Sequence, residues 1–416
     1  MRKLIIQMLC FFSFLVPLEY IYVVFFGTDH PLKPYRLVAI LIILSLLIYL
    51  MINQKRLSVD RIDRLHFLIF GYGFFLAAIR YAFFDLGIIE YTTSDGYLLL
   101  LCICVSLGIK NINLTASEID RILLFFVCAV SLNVILIFWE VTQGGAIFKR
   151  ATGFFKNPNQ AGLAIVLGFL YLLIKLPNKT GPRALSLLGL IAFVLAIVFT
   201  GSRSALLVLT VIVFCWYVVT ANRSIGKIFV IAGISLSVYL GQAVLFATVD
   251  NLEAMEAAME ARFDPESASL ATGSGRTDIW KSGVLLSLDN ALVGVGASQY
   301  KAYHQAYIGR GDAYQTVLDH DLSLHNDYMV MFVEFGLVSF LIYLYILYYL
   351  FSGLWSSTRS KKHGQLATFF CLALLTISLT GIFQEQIKLM TYWLFIALAL
   401  AFLKFIRKEE SNFDRA

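Results

Sequence analysis

Long apolar runs separated by short charged connectors dominate the chain. A helix needs about 20 apolar residues to cross the ~30 Å hydrocarbon layer of a bilayer. Runs approaching that length occur near 4–26, 35–52, 65–84, 92–109 and 122–142, and again at 160–176, 184–200, 204–221, 225–248, 327–351, 365–383 and 389–406. The pattern predicts an all-α polytopic membrane protein of about twelve spanning helices. Were 184–221 one helix, its length at ~1.5 Å per residue would be almost twice the bilayer core. Gly201, Ser202 and Arg203 therefore mark the tip of a hairpin. The run at 92–109 is the weakest, because it opens with Thr92, Thr93, Ser94 and Asp95. The first run follows Arg2 and Lys3. It is too long for a secretory signal and no small-residue cleavage site follows it, so it reads as a retained first span.

This pattern divides the chain into residues 1–248 with spans one to nine, a long loop at 249–325, and residues 326–416 with spans ten to twelve and a short tail. The loop carries eleven acidic residues against five basic ones. Within it, Leu252, Met255, Met259 and Phe263 recur at helical spacing while Glu253, Glu256 and Glu260 fall elsewhere on the turn, the mark of an amphipathic helix at a membrane surface. A second helix is expected from Thr277 to Ser287, followed by a turn containing Gly294 and Gly296. Lysine and arginine are retained on the cytoplasmic side of membrane proteins. With both termini cytoplasmic, that side collects 20 of the 33 basic residues, and the long loop faces outward.

Composition agrees with this reading. Of the 416 residues, 59% are hydrophobic and 14% charged, and the mean hydropathy of +0.78 excludes an ordinary soluble protein. A net charge of +6 is modest for this length and implies no nucleic acid. The six cysteines all lie inside apolar runs and read as small core residues, with no disulfide framework and no metal site. Cys102 and Cys104, two residues apart, point to different faces of a helix.

Four places interrupt the apolar pattern at an energetic cost. Arg203, in Thr200-Gly201-Ser202-Arg203-Ser204, lies near membrane depth and must face a cavity, a partner or the interface; its plain alternative is a helix-end arginine snorkelling to the headgroups. Arg276, in Gly273-Ser274-Gly275-Arg276-Thr277, sits where a helix begins, and free amides beside a guanidinium favour an anion; the alternative is a solvated loop charge. His325, in Leu324-His325-Asn326-Asp327-Tyr328, lies where the loop re-enters the membrane, with Asp327 or Asp321 as a carboxylate neighbour to orient a proton-accepting ring; the alternative is an interfacial capping residue. Arg150, Lys156, Asn157 and Asn159 surround a rigid Asn-Pro-Asn turn that could hold a phosphate or sugar or simply join two helices. All four features map to the outer face under a topology assigned without reference to them. Two arginines suit a diphosphate leaving group whose charge grows as its bond to a sugar breaks, and a histidine suits activation of a hydroxyl.

These motifs, in this order, resemble the O-antigen ligase and O-antigen polymerase superfamily of bacterial cell-surface glycan enzymes. The resemblance runs from about Arg150 to the last span. It is carried by the Gly153-Phe154-Phe155-Lys156-Asn157-Pro158-Asn159 turn, Thr200-Gly201-Ser202-Arg203-Ser204-Ala205, Gly275-Arg276 with Trp280, Gly294-Val295-Gly296, and His325-Asn326-Asp327-Tyr328. It implies a metal-independent, inverting membrane glycosyltransferase of GT-C type without a cofactor, working at the periplasmic face of the bacterial inner membrane among membrane lipids. The implied donor is an undecaprenyl-diphosphate-linked glycan. By the same resemblance Arg203 and Arg276 bind the diphosphate, and His325 positions or deprotonates the acceptor hydroxyl. Arg150, Lys156, Asn157, Asn159, Asn326, Asp327 and Tyr328 contribute to substrate binding. A ligase, in lipopolysaccharide biosynthesis, uses lipid A-core as acceptor; a polymerase uses another lipid-linked glycan. The arrangement of Arg203, Arg276 and His325 looks more like the ligase branch, and both stay open. A transporter would show inverted repeats or paired broken helices, which this sequence lacks, and a scaffold would leave the clustered outer-face motifs unexplained.

The orientation predicts that a cysteine introduced at Ser274 reacts with an impermeant reagent in intact spheroplasts, while one introduced at Ser360 does not. Labelling at 360 alone would reverse the topology.

Overall fold

The computed structural model describes residues 1–26, 33–54, 56–84, 89–143, 150–175, 183–220, 276–303, 323–360 and 362–413. Among these the helices are α1 (Arg2–Leu15), α2 (Ile21–Phe26), α3 (Pro34–Ile52), α4 (Arg61–Phe84), α5 (Ile89–Asn111), α6 (Ala116–Thr142), α7 (Pro158–Lys175), α8 (Arg183–Thr200), α9 (Arg203–Val219), α10 (Arg276–Asp289), α11 (Asp327–Val333), α12 (Gly336–Ser357), α13 (Gly364–Gly381) and α14 (Met390–Phe413). Seven of them, α3, α4, α6, α7, α12, α13 and α14, are long and apolar enough to cross a membrane, and shorter apolar helices lie at Leu187–Thr200 and Arg203–Val219. The sequence pattern predicts twelve spans. The run at 225–248 and the amphipathic segment at 252–263 lie outside the described residues.

Local chemistry sets the helix ends. Thr115 and Glu118 form a reciprocal capping box at the start of α6, satisfying two of the amides that a helix leaves without partners. Asn157 precedes Pro158 at the start of α7, where the missing proline N–H costs nothing, and its Oδ1 accepts the N–H of Asn159 at 2.8 Å. Ser202 caps α9 and Asn326 caps α11 through their side-chain oxygens. Two runs that read as single spans are broken. In the first, Pro17 has no N–H to continue the helix, and the chain passes through a 3-10 turn at Val16–Leu18 before α2.

The second break separates α11 from α12, where the sequence pattern predicts one span at 327–351. Gly336 adopts φ +82, in the left-handed region that favours glycine. Into the gap comes the segment Leu292–Gly296. Val295 N–H donates to the Val333 carbonyl at 3.1 Å, Gly296 N–H to the Glu334 carbonyl at 2.9 Å, and Leu337 N–H to the Leu292 carbonyl at 2.9 Å. Backbone groups freed from a helix near membrane depth are thus satisfied by protein. α10 supports the same region: the Trp280 indole donates to the Leu324 carbonyl at 3.0 Å, and Gly283 leaves room for Leu324, Val333 and Met329.

Polar contacts sort the helix ends into two faces. On one face Arg2 pairs with Glu118 at 2.7 Å and Lys175 with Asp120 at 2.7 Å. Lys110 pairs there with Asp60 at 2.8 Å and with Asp63, and Lys404 reaches the Lys110 carbonyl. A small cavity beside Lys404 is lined also by Asn113, Thr115 and Lys408. Following α5, α6, α7, α9 and α14 to their opposite ends leads to Asp95, Thr142, Pro158, Arg203 and Met390 on the second face. Between the faces, α7, α13 and α14 are mostly buried, whereas α3 presents Leu37, Leu41, Leu44 and Leu47 outward. Helices apolar on all sides suit lipid on one side and protein on the other.

Gly296 holds φ +100, and a Cβ there would stand 2.7 Å from the Ala77 Cα and 2.8 Å from its N on α4. Gly71, one and a half turns earlier on that helix, has open space around it. Gly296→Ala is expected to destabilise the purified protein by about 1–3 kcal/mol, and Gly71→Ala to leave it unchanged or up to ~1 kcal/mol more stable. Melting followed by tryptophan fluorescence in detergent checks both, and equal midpoints would contradict the fitted turn.

Candidate active site

Arg203 is the first residue of α9, exposed at the tip of the α8–α9 hairpin. Gly201 makes the sharp turn with φ +58. The turn is held from two sides. Arg150 donates through Nε to the Thr200 carbonyl at 3.0 Å and through a terminal nitrogen to Asn159 Oδ1 at 3.1 Å, and Ser202 Oγ donates to the same Asn159 oxygen at 2.8 Å. The first turn of α9 contains no acidic residue. A guanidinium beside helix N-terminal amides concentrates positive potential at one spot, which favours an anion.

The Arg150–Asn159 turn is itself stapled to α6. Glu140 accepts the N–H groups of Thr152 and Gly153 at 2.9 and 3.2 Å, and Asn133 Oδ1 accepts that of Phe154 at 2.6 Å. The Phe154 carbonyl takes the N–H of Tyr20 at 3.0 Å. Arg150 and Asn159 thus brace the arginine-bearing tip, and Lys156 stands exposed beside them.

His325 lies just before α11, partly buried, with φ +48. That left-handed conformation is uncommon for a residue with a Cβ and persists only where surroundings over-determine it. Its Nδ1 is 3.3 Å from Ser323 Oγ, and its backbone N–H donates to Glu385 Oε1 at 3.2 Å. Glu385, on the connection between α13 and α14, is therefore the carboxylate beside the histidine. The sequence expectation named Asp327 or Asp321. Asp321 lies outside the described residues, and Asp327 is buried and turned away, its Oδ1 accepting the N–H groups of Gln386 and Ile387 at 2.7 and 3.0 Å. Asn326 is occupied in capping α11, and the Tyr328 hydroxyl donates to the Ser378 carbonyl at 2.9 Å. These three residues fix the His325 segment against the end of α13, where Gly381 adjoins Asp327.

Glu385 begins a chain of charges that sequence reasoning missed. Lys388 Nζ lies 3.0 Å from Glu385 Oε2 and 2.8 Å from Asp95 Oδ2 on α5. Ser298 Oγ–H also donates to Asp95, and the Ser298 N–H donates to Glu334 Oε2 at 2.8 Å. Thr92 anchors the same loop, donating to the Ala297 carbonyl at 2.8 Å and accepting from Gln299 at 2.6 Å. Burial works against the charge on Glu385, but Lys388 outweighs it and holds the carboxyl below its ordinary range. Burial likewise disfavours the Lys388 ammonium, yet Glu385, Glu334 and Asp95 raise it well above an ordinary lysine. The signal was present in the sequence: Asp95 and Lys388 are ionisable residues bordering apolar runs, which call for partners.

Arg276 opens α10 one turn before Trp280, the residue that reaches Leu324 next to His325; the Arg276 side chain lies outside the described part. α13 links the two clusters, packing against α7 and α9 and meeting α11 at Gly381. The second face thus collects Arg150, Arg203, the start of α10, His325, Glu385 and Lys388.

Residues 187–344 match the family model described as O-antigen ligase. That stretch is similar to the O-antigen ligase family. It is shorter than half the chain and narrower than the resemblance read from the motifs, which begins at Arg150. The matched stretch contains Arg203, Arg276 and His325, and leaves out Arg150, Asp95, Glu385 and Lys388. Members of that family are membrane glycosyltransferase-like enzymes. No curated protein matches the chain.

Proposed function

We propose that this chain transfers a glycan from undecaprenyl diphosphate to an acceptor sugar hydroxyl at the periplasmic face of the bacterial inner membrane, as an O-antigen ligase with lipid A-core as acceptor. The observation that carries the reading is the gathering of an anion-favouring arginine tip and a histidine in a constrained conformation at one face of the helix bundle. Both lie within the stretch that matches the O-antigen ligase family.

In this mechanism Arg203 and Arg276 bind the diphosphate of the donor. The acceptor hydroxyl oxygen attacks the anomeric carbon from the side opposite the phosphate, with inversion. The hydroxyl proton passes to the imidazole of His325, and the bond from the anomeric carbon to the phosphate oxygen breaks. Undecaprenyl diphosphate leaves with the bonding electron pair, and its growing charge is met by the two guanidinium groups, whose donors form charge-assisted hydrogen bonds. The chemistry needs neither a metal nor a cofactor. Lys156 and Asn157 shape the surroundings of donor and acceptor, Asn326, Asp327 and Tyr328 hold the His325 segment, and Arg150 with Asn159 keeps the Arg203 tip in register.

Each of Arg203→Ala, Arg276→Ala and His325→Ala is expected to lower transfer by about 100-fold or more while the protein remains in the membrane. Near-normal transfer by all three would sink the mechanism. Purified protein supplied with lipid-linked glycan and either lipid A-core or further lipid-linked glycan identifies the acceptor. Extension of the lipid-linked glycan alone would make the chain a polymerase.

A further inference from the structure

We propose that Lys388 and Asp95 form a positioning ion pair for His325, acting through Glu385, in the transfer reaction. The inference rests on the reading of His325 as the proton acceptor and extends it to residues outside the matched stretch. One Glu385 oxygen takes the His325 N–H at 3.2 Å and the other takes the Lys388 ammonium at 3.0 Å. Lys388 in turn is anchored at 2.8 Å to Asp95 on α5, a helix from the first third of the chain that packs along α14. The side chains keep little exposure: 10% for Glu385, 17% for Lys388 and 25% for Asp95.

Burial makes the chain interdependent. Without Lys388, Glu385 would be a nearly buried charge that has lost its ammonium partner, and such a group takes up a proton or turns toward water. Either change weakens its hold on the His325 N–H, one of the contacts that keep a left-handed residue in place. The backbone at 325 then relaxes and the imidazole moves. A misplacement of about 1 Å at a reacting group costs on the order of 100-fold in rate. A pair that merely fastened the α13–α14 connection to α5 would affect stability and leave turnover unchanged.

Full-length protein in liposomes, with lipid-linked glycan and the acceptor it uses, separates these outcomes. Lys388→Gln and Asp95→Asn are each expected to lower kcat at least tenfold with KM within twofold. The double variant should be no slower than the slower single, because the two side chains act as one unit. Lys388→Arg should stay within threefold of the native rate, which keeps the test available where Lys388→Gln folds poorly. Independently of catalysis, a cysteine introduced at Ser323 should react at least threefold faster with an impermeant maleimide when Lys388→Gln is present, with the parent chain as blank. Additive losses, a change confined to KM, or an unchanged labelling rate would overturn the proposal. If the native chain transfers no glycan to any acceptor, the functional reading falls, and the labelling rate still decides whether Lys388 holds the His325 segment.

Discussion

At the break between α11 and α12, the carbonyls of Val333 and Glu334 accept the N–H groups of Val295 and Gly296, and Leu337 donates to Leu292. In a low-dielectric surrounding, an unsatisfied backbone group costs several kcal/mol, so a helix can be interrupted there only where other backbone replaces its lost bonds. The Leu292–Gly296 segment supplies that replacement. Its close approach is possible because Gly294, Gly296 and Gly336 all have positive φ and no Cβ to obstruct it. The interruption makes α11 a short, separate helix, and the turn that begins α11 carries His325.

From this junction the remaining contacts of the site follow. The same loop continues to Ser298, which meets Glu334 through its N–H and Asp95 through its hydroxyl. Asp95 meets Lys388, and Lys388 meets Glu385. Segments from α5, the Leu292–Ser298 loop, α11 and the α13–α14 connection, far apart in sequence, are thereby joined by polar contacts that are mostly buried. Charges of this kind add little net stability, because desolvation offsets most of their attraction, but leaving one unpaired is costly. Their value here lies in fixing geometry. On the other side of α13, Arg150 and Asn159 do the same for the Arg203 tip through neutral acceptors, the Thr200 carbonyl and an amide oxygen. The two devices differ in chemistry and share a result: each candidate functional side chain is presented from a turn that another segment holds.

Sequence periodicity was informative wherever a single local rule decided the outcome. Among the described residues, apolar runs of sufficient length became helices, because every spanning segment must satisfy its own backbone. The hairpin tip at Gly201–Arg203 followed from length alone, and the helix expected at Thr277–Ser287 appears as Arg276–Asp289. The same local rules picked out Arg203, Arg276 and His325, since ionisable residues beside apolar runs are expensive enough to require a reason. They failed at the two broken spans, where a proline in one case and an inserted loop in the other overrode hydropathy.

By itself, then, the sequence determined the class of the protein, the hairpin tip at Gly201–Arg203 and the side chains worth suspecting. It could not determine their partners. Asp327, two residues from His325, seemed the natural carboxylate for the ring, yet it is spent on the backbone of Gln386 and Ile387, and Glu385, sixty residues away, takes the His325 N–H. Arg150 looked like a ligand for substrate and proved also to brace the Thr200 turn. Such pairings depend on which helix ends arrive at the same face and on which charges are left to neutralise each other once water is excluded. Those are properties of the packed bundle, and only the tertiary structure decided them.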